Sequence, residues 1–99
     1  MNIQNLMREA QKVQKELQKT QEVLANTDYE GVSSLVKVVI NGNKDVKSVN
    51  INVDDDFNKD DVEMLEDMII LAFNDAAKKA DADKEKKLGK YGQGLSGLM

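Results

Sequence analysis

The sequence predicts an α+β fold: a long N-terminal helix, a small antiparallel sheet and a second helix, in that order. Three observations predict it. Apolar residues recur at helical spacing through residues 3–24, Val- and Ile-rich segments flank an Asn41-Gly42 turn, and a helix-start signal at Asn58 opens a second periodic stretch.

The first helix is expected over residues 1–26. Ile3, Leu6, Ala10, Val13, Leu17, Thr20 and Leu24 make a heptad a/d seam that is apolar at six of its seven positions. Gly and Pro are absent from this segment, and Gln, Lys, Glu and Ala, all good helix formers, fill the other faces. At ~1.5 Å per residue the seam runs about 33 Å, long for so small a domain, so part of the helix should project or pair outside its own core. Thr20 at a d position weakens the seam, and a regular coiled coil is not required. Asn26, Thr27 and Asp28, which bond their own backbone readily, end the helix.

The sheet is expected over residues 29–53. Leu35 to Ile40 puts Val36, Val38 and Ile40 on one face and Leu35, Lys37 and Val39 on the other. Asn41-Gly42 turns the chain, and Val49, Ile51 and Val53 then alternate with Ser48, Asn50 and Asn52, one dry face against one wet. Tyr29 to Val32 supplies a shorter third strand before the Ser33-Ser34 bend.

The second helix is expected over residues 58–88. Asn58 with Asp61 three residues on reads as an N-cap and its carboxylate partner. Val62, Leu65, Ile69, Ala72, Phe73, Ala76 and Ala80 give the buried stripe. Asp60, Asp61 and Glu63 suit its positive end, and lysines from Lys78 to Lys87 suit its negative end. Met64, Met68 and Leu71 widen the stripe beyond what one sheet face needs and, with Leu65 and Ala72, are the expected dimer contact. Gly89, Gly92, Gly94 and Gly97 interspersed with Leu95, Leu98 and Met99 predict a flexible tail over residues 89–99.

Length and composition bound the function. Ninety-nine residues, 40% hydrophobic and 32% charged, make a single domain over residues 1–99. A monomer of this size buries only about two-thirds of its unfolded surface, so self-association is expected. The chain has no His and no Cys. That excludes Ser-His-Asp and Cys-His catalysis, Cys/His zinc sites, iron–sulfur and haem-thiolate ligation, and disulfides. No twenty-residue apolar run exists, and polar residues interrupt the first ten positions, so a cytoplasmic protein is expected, with neither span nor export signal.

Two acidic clusters invite chemistry and do not sustain it. Asp54, Asp56 and Asn58 match the first three ligand positions of an EF-hand loop, but Lys59 stands where Gly is needed and Leu65 where the bidentate carboxylate belongs. Glu66 and Asp67 point about 100° apart on a helix, with no nucleophile nearby. The chain therefore reads as a non-enzyme with no metal, no cofactor and no small-molecule substrate.

The informative feature is cationic. Arg8, Lys12, Lys15 and Lys19 step along one edge of the first helix, opposite its apolar seam, over about 16 Å at 1.5 Å per residue. Such a ridge can lie along a phosphate backbone, although Lys and Glu are also ordinary on a solvated helix face, and Lys12 with Glu16 could pair at i, i+4. A second group, Lys84, Lys86, Lys87 and Lys90, either assists the ridge or compensates the helix dipole. Residues 54–67 hold eight acids against Lys59, and the chain totals 18 acidic and 14 basic side chains, net −4. Affinity for nucleic acid must then be local, salt-sensitive and dimer-dependent. Four scattered aromatics, Tyr29, Phe57, Phe73 and Tyr91, make no stacking platform.

Several strings resemble the YbaB/EbfC family of bacterial nucleoid-associated proteins. Asn5-Leu6-Met7 with Ala10-Gln11-Lys12 is similar to the family's opening, Leu35-Val36-Lys37-Val38 with Asn41-Gly42 to its hairpin, and Val46-Lys47-Ser48-Val49 to its next strand. The most specific string is Val62-Glu63-Met64-Leu65-Glu66-Asp67, continued by Ala72-Phe73-Asn74-Asp75-Ala76 and Lys87-Leu88-Gly89. The chain departs from the family in having no Pro before the second helix and fewer Gly after the first strand. The resemblance implies an α-β-β-β-α protomer, a tweezers-like homodimer with projecting helices, and binding of double-stranded DNA with little sequence preference at the nucleoid.

The expected DNA contacts are accordingly Arg8, Lys12, Lys15, Lys19, Lys84, Lys86 and Lys87. The alternative is a dimeric protein–protein interaction module without DNA binding, using the Met-rich second helix or the first-helix seam. Docking of the first helix on an anionic membrane is disfavoured by its narrow, aromatic-free seam.

Overall fold

The computed structural model describes residues 2–96. Helix α1 spans Ile3–Ala25, with Asn2 as its N-cap, the side-chain oxygen accepting the Gln4 amide at 3.1 Å. At its other end Asn26 Nδ2 donates to the Glu22 carbonyl at 2.9 Å and Thr27 Oγ1 to the Val23 carbonyl at 2.6 Å, so the residues that stop the helix also satisfy its last carbonyls.

Three antiparallel strands follow, β1 (Asp28–Ser33), β2 (Val36–Asn41) and β3 (Val46–Ile51), in the order β1-β2-β3. The first strand is as long as the others and not the short addition expected. Gly31 sits in its interior because helix α2 lies so close that a Cβ there would collide with the Ala72 carbonyl and the Ala76 amide. The outer edge of β1 is also covered: the Val32 amide donates to Asp75 Oδ2 at 3.1 Å, and Lys79 Nζ donates to the Glu30 carbonyl at 2.7 Å.

The β2–β3 turn forms at Asn41-Gly42, by a different device from the positive-φ Asn-Gly turn the dipeptide suggests. The left-handed residue is Lys44, at φ 67°, and Asn41 Oδ1 organises the loop by accepting the Asn43 and Asp45 amides at 2.9 and 3.0 Å. Gly42 is needed for a tertiary reason, since a Cβ there would strike the Leu24 carbonyl at the end of α1.

Asn58 opens a 3₁₀ turn, Lys59–Asp61, with the expected reciprocal capping box to Asp61, and helix α2 continues from it over Val62–Ser96. The helix therefore runs past Gly89, into the segment expected to be a flexible tail. Glycine costs a helix about 1 kcal/mol without stopping it, the chain has no proline, and no described glycine adopts the positive φ that ends helices. Residues 97–99 lie outside the described residues.

The core joins one face of the sheet to one stripe of α2: Tyr29, Val36, Val38 and Ile40 against Ala72, Ala76 and Ala80, flanked by half-buried Leu65, Met68, Ile69 and Phe73. Alanines at i, i+4 spacing are what let the helix approach so closely. Helix α1 joins this body only by its C-terminal end, where Leu24 is buried and Leu17 and Thr20 are half-buried; at its far end Ile3 is 71% exposed. The molecule is correspondingly long, 73 × 23 × 14 Å with a radius of gyration of 20.0 Å, against about 13 Å for a compact chain this size. Among the described residues no helix is long and apolar enough to cross a membrane.

Candidate nucleic-acid interface

The projecting helix carries the ridge. Arg8, Lys12, Lys15 and Lys19 are all exposed on α1. Among the described residues none of the four side chains makes an ion pair or hydrogen bond, and the Lys12–Glu16 pair allowed by the sequence is not formed. The ion pairs that do form lie elsewhere: Lys37–Glu30 and Lys47–Asp28 within the sheet, Lys44–Asp81 from the turn to α2, and Lys79–Asp75 and Lys87–Asp83 along α2. The protein thus spends its sheet and turn lysines internally and leaves the ridge in water.

The lysines of α2 divide between two places. Lys86 and Lys87 converge with Lys19 on one open depression between the helices, which Thr20 and Val23 also line. Lys84 is turned about 200° from Lys86 around the helix and lines a separate groove with Leu24, Gly42 and Asn43. Lys87 donates to Asp83 at 3.0 Å, and the hydrogen bond from Tyr29 ahead of that lysine holds the Asp83 carboxyl below the usual carboxylate range. Thr20 and Val23 were not marked as site residues by the sequence; only the meeting of α1 with α2 brings them there.

The face expected to meet a second subunit is partly open and partly spent. Met64 and Leu71 are exposed, Leu65 and Met68 half-buried against the core, and Ala72 wholly buried within the protomer. Ala72 therefore cannot contact a partner; its small side chain serves the approach of Gly31. A surface not foreseen stands open on the sheet. Val46, Val49 and Ile51 pair with Ile40, Val38 and Val36 and so share their core-side face, yet Val49 is 47% and Ile51 40% exposed. Helix α2 lies over β1 and β2, so the expected dry face of β3 is exposed and, among the described residues, carries no covering element.

Two acids of the acidic segment, Asp54 and Asp61, organise the backbone that enters α2. Asp54 Oδ1 accepts the Asp56 amide at 3.2 Å and its carbonyl accepts the Phe57 amide at 3.2 Å, an aspartate-organised turn leading into the Asn58 cap. Among the described residues no three carboxylates are grouped to hold a metal ion.

Comparison with known proteins bears on this geometry. Residues 1–95 match the YbaB/EbfC DNA-binding family. A nucleoid-associated protein of Lactococcus lactis subsp. cremoris is 44% identical over 97 residues, covering 96% of this chain and 97% of its own. One from Xylella fastidiosa is 41% identical over 97 residues, covering 96% and 89%, and one from Ligilactobacillus salivarius 36% over 99 residues, covering 99% and 95%. The crystal structure of an uncharacterized protein from Helicobacter pylori superposes with a TM-score of 0.72 over 92% of this chain and 97% of that one, at 20% identity, a likeness of fold.

Proposed function

The chain belongs to the YbaB/EbfC DNA-binding family, and on that premise we propose that it binds double-stranded DNA as a homodimer, with little sequence preference, at the nucleoid in the bacterial cytoplasm. One observation carries the reading: four exposed cations, none ion-paired among the described residues, stand along one edge of a helix that projects from the body. Duplex DNA offers a negative charge every ~3.4 Å on each strand, and long lysine side chains tolerate imperfect register against it. Phosphate contacts position a protein without reading sequence, which accords with an edge whose charged members are Arg and Lys, with no aromatic residue on the same helix.

The homodimer is supported by the exposed apolar face of β3 together with exposed Val62, Met64, Ile70 and Leu71 on α2. A chain burying so small a core gains most from covering these residues with a second copy. Doubling also matters electrically. The net charge of −4 opposes approach to DNA, so two ridges acting on one duplex offset that repulsion better than one.

The test is a binding titration on two duplexes of unrelated sequence across a salt series. Log affinity is expected to fall linearly with log salt, with a slope near 3.6 for one four-contact ridge and about twice that for two, alike on both sequences. Affinity indifferent to salt, or confined to one duplex, would overturn the reading.

A further inference from the structure

Lys19 of α1 and Lys86 and Lys87 of α2 line a single open depression of about 420 Å³. Its volume is many times the ~30 Å³ of one water molecule, so a phosphodiester group fits. The three ammonium groups are not equivalent. Lys87 is committed to Asp83 at 3.0 Å, and Asp83 is tied in turn to Tyr29 of β1. Among the described residues Lys19 and Lys86 make no ion pair, so each helix contributes one uncommitted lysine to the lining of the same concavity. An anion seated there could be reached by both long, flexible side chains.

We infer that this fork is an anchor for one phosphate of the duplex backbone, which Lys19 and Lys86 neutralise together, while Lys15, Lys12 and Arg8 follow separate phosphates farther out along α1. The inference rests on the duplex-DNA reading and adds a fixed point to it. The outer ridge is a line of flexible side chains on a projecting helix, whereas the fork is built where that helix meets the body. The Tyr29–Asp83–Lys87 chain ties the α2 wall of the fork to the sheet. The backbone is therefore held in register at the fork and only steadied beyond it.

Counterion release separates a shared phosphate from two independent ones. Salt slopes on one duplex are compared for the unsubstituted protein and for Lys19→Gln, Lys86→Gln, the Lys19→Gln/Lys86→Gln double variant and Arg8→Gln, all at exposed positions, with helicity checked by circular dichroism. Counted per protomer in contact, Arg8→Gln is expected to lower the slope by about 0.9, each fork single by less than ~0.3, because the remaining lysine still neutralises the phosphate, and the double by about 0.9. A loss of about 0.9 for each single and about 1.8 for the double would mean separate phosphates and would overturn the shared anchor, as would three fork variants all matching the unsubstituted slope. If Arg8→Gln flattens the slope while the fork variants do not behave as expected, the fork fails alone. If the unsubstituted protein shows no salt-dependent capture, the duplex reading fails and the fork with it.

Discussion

Tyr29 Oη donates a 2.5 Å hydrogen bond to Asp83 Oδ2, joining β1 to α2 across 54 residues of sequence. The same oxygen accepts Lys87 Nζ at 3.0 Å, so a core strand, the long helix and a lysine of the fork share one acceptor. The arrangement perturbs both titrating partners. Burial first, and then the Asp83 carboxylate, push the Tyr29 hydroxyl up to about 12. The bond from Tyr29, and after it that from Lys87, holds the Asp83 carboxyl below its ordinary value.

Those shifts make stability depend on pH at both ends. Tyr29 is raised, so its contribution is complete below pH 10.0 and lost as pH climbs toward 12. Asp83 is lowered, so its contribution is present above the ordinary carboxylate range and lost as pH falls through its depressed folded value. Tyr29→Phe should lower stability at neutral pH by about 1 kcal/mol and flatten the alkaline decline. Urea melts followed by circular dichroism at neutral and alkaline pH check this, and an alkaline limb as steep as before contradicts it.

Gly31 faces backbone that cannot yield. Gly31→Ala drives a methyl group into the Ala72 carbonyl and the Ala76 amide, so α2 must lift off β1. The expected cost is about 2 kcal/mol, a fall in Tm of roughly 10 °C. A thermal melt unchanged by the substitution would show that the approach of helix to strand is looser than described.

Val49 tests the second subunit. It shares the core-side face of Val38 yet remains 47% exposed, so Val49→Asp has little to disturb within the protomer and much to disturb in a dimer built on that face. Light scattering at micromolar concentration should give a dimer for the unsubstituted protein and a monomer of unaltered helicity for the variant. A dimeric variant would move the interface elsewhere.

Much of the fold is legible in residues that act locally. The Asn58–Asp61 capping box, the Asn26 and Thr27 stop, and the alternation of Val36, Val38 and Ile40 each depend on neighbours within a few positions. Features set by distant contacts are not legible in this way. Gly31 offers a strand no side chain to pack, and its need is visible only once α2 is seen to lie against it. Ala72 belongs by spacing both to the buried stripe and to the expected dimer contact, and its complete burial decides for the stripe. The alternation of β3 predicts a dry face at Val49, Ile51 and Val53, but the strand ends at Ile51 and all three are exposed, because among the described residues α2 packs on β1 and β2. Likewise the spacing of Arg8, Lys12, Lys15 and Lys19 reveals the ridge, while the meeting of Lys19 with Lys86 depends on where α1 crosses α2.

The central claim is that the outer edge of α1 carries the contact with DNA, and neutralising that edge tests it most directly. Arg8, Lys12, Lys15 and Lys19 are replaced together by Gln, a good helix former, and the salt dependence of duplex affinity is measured against the unsubstituted protein. The account predicts a slope smaller by roughly 3 for each ridge in contact, the shared fork phosphate being retained by Lys86, with helicity and dimer mass preserved. An undiminished slope, with the duplex bound as tightly as before, would contradict it.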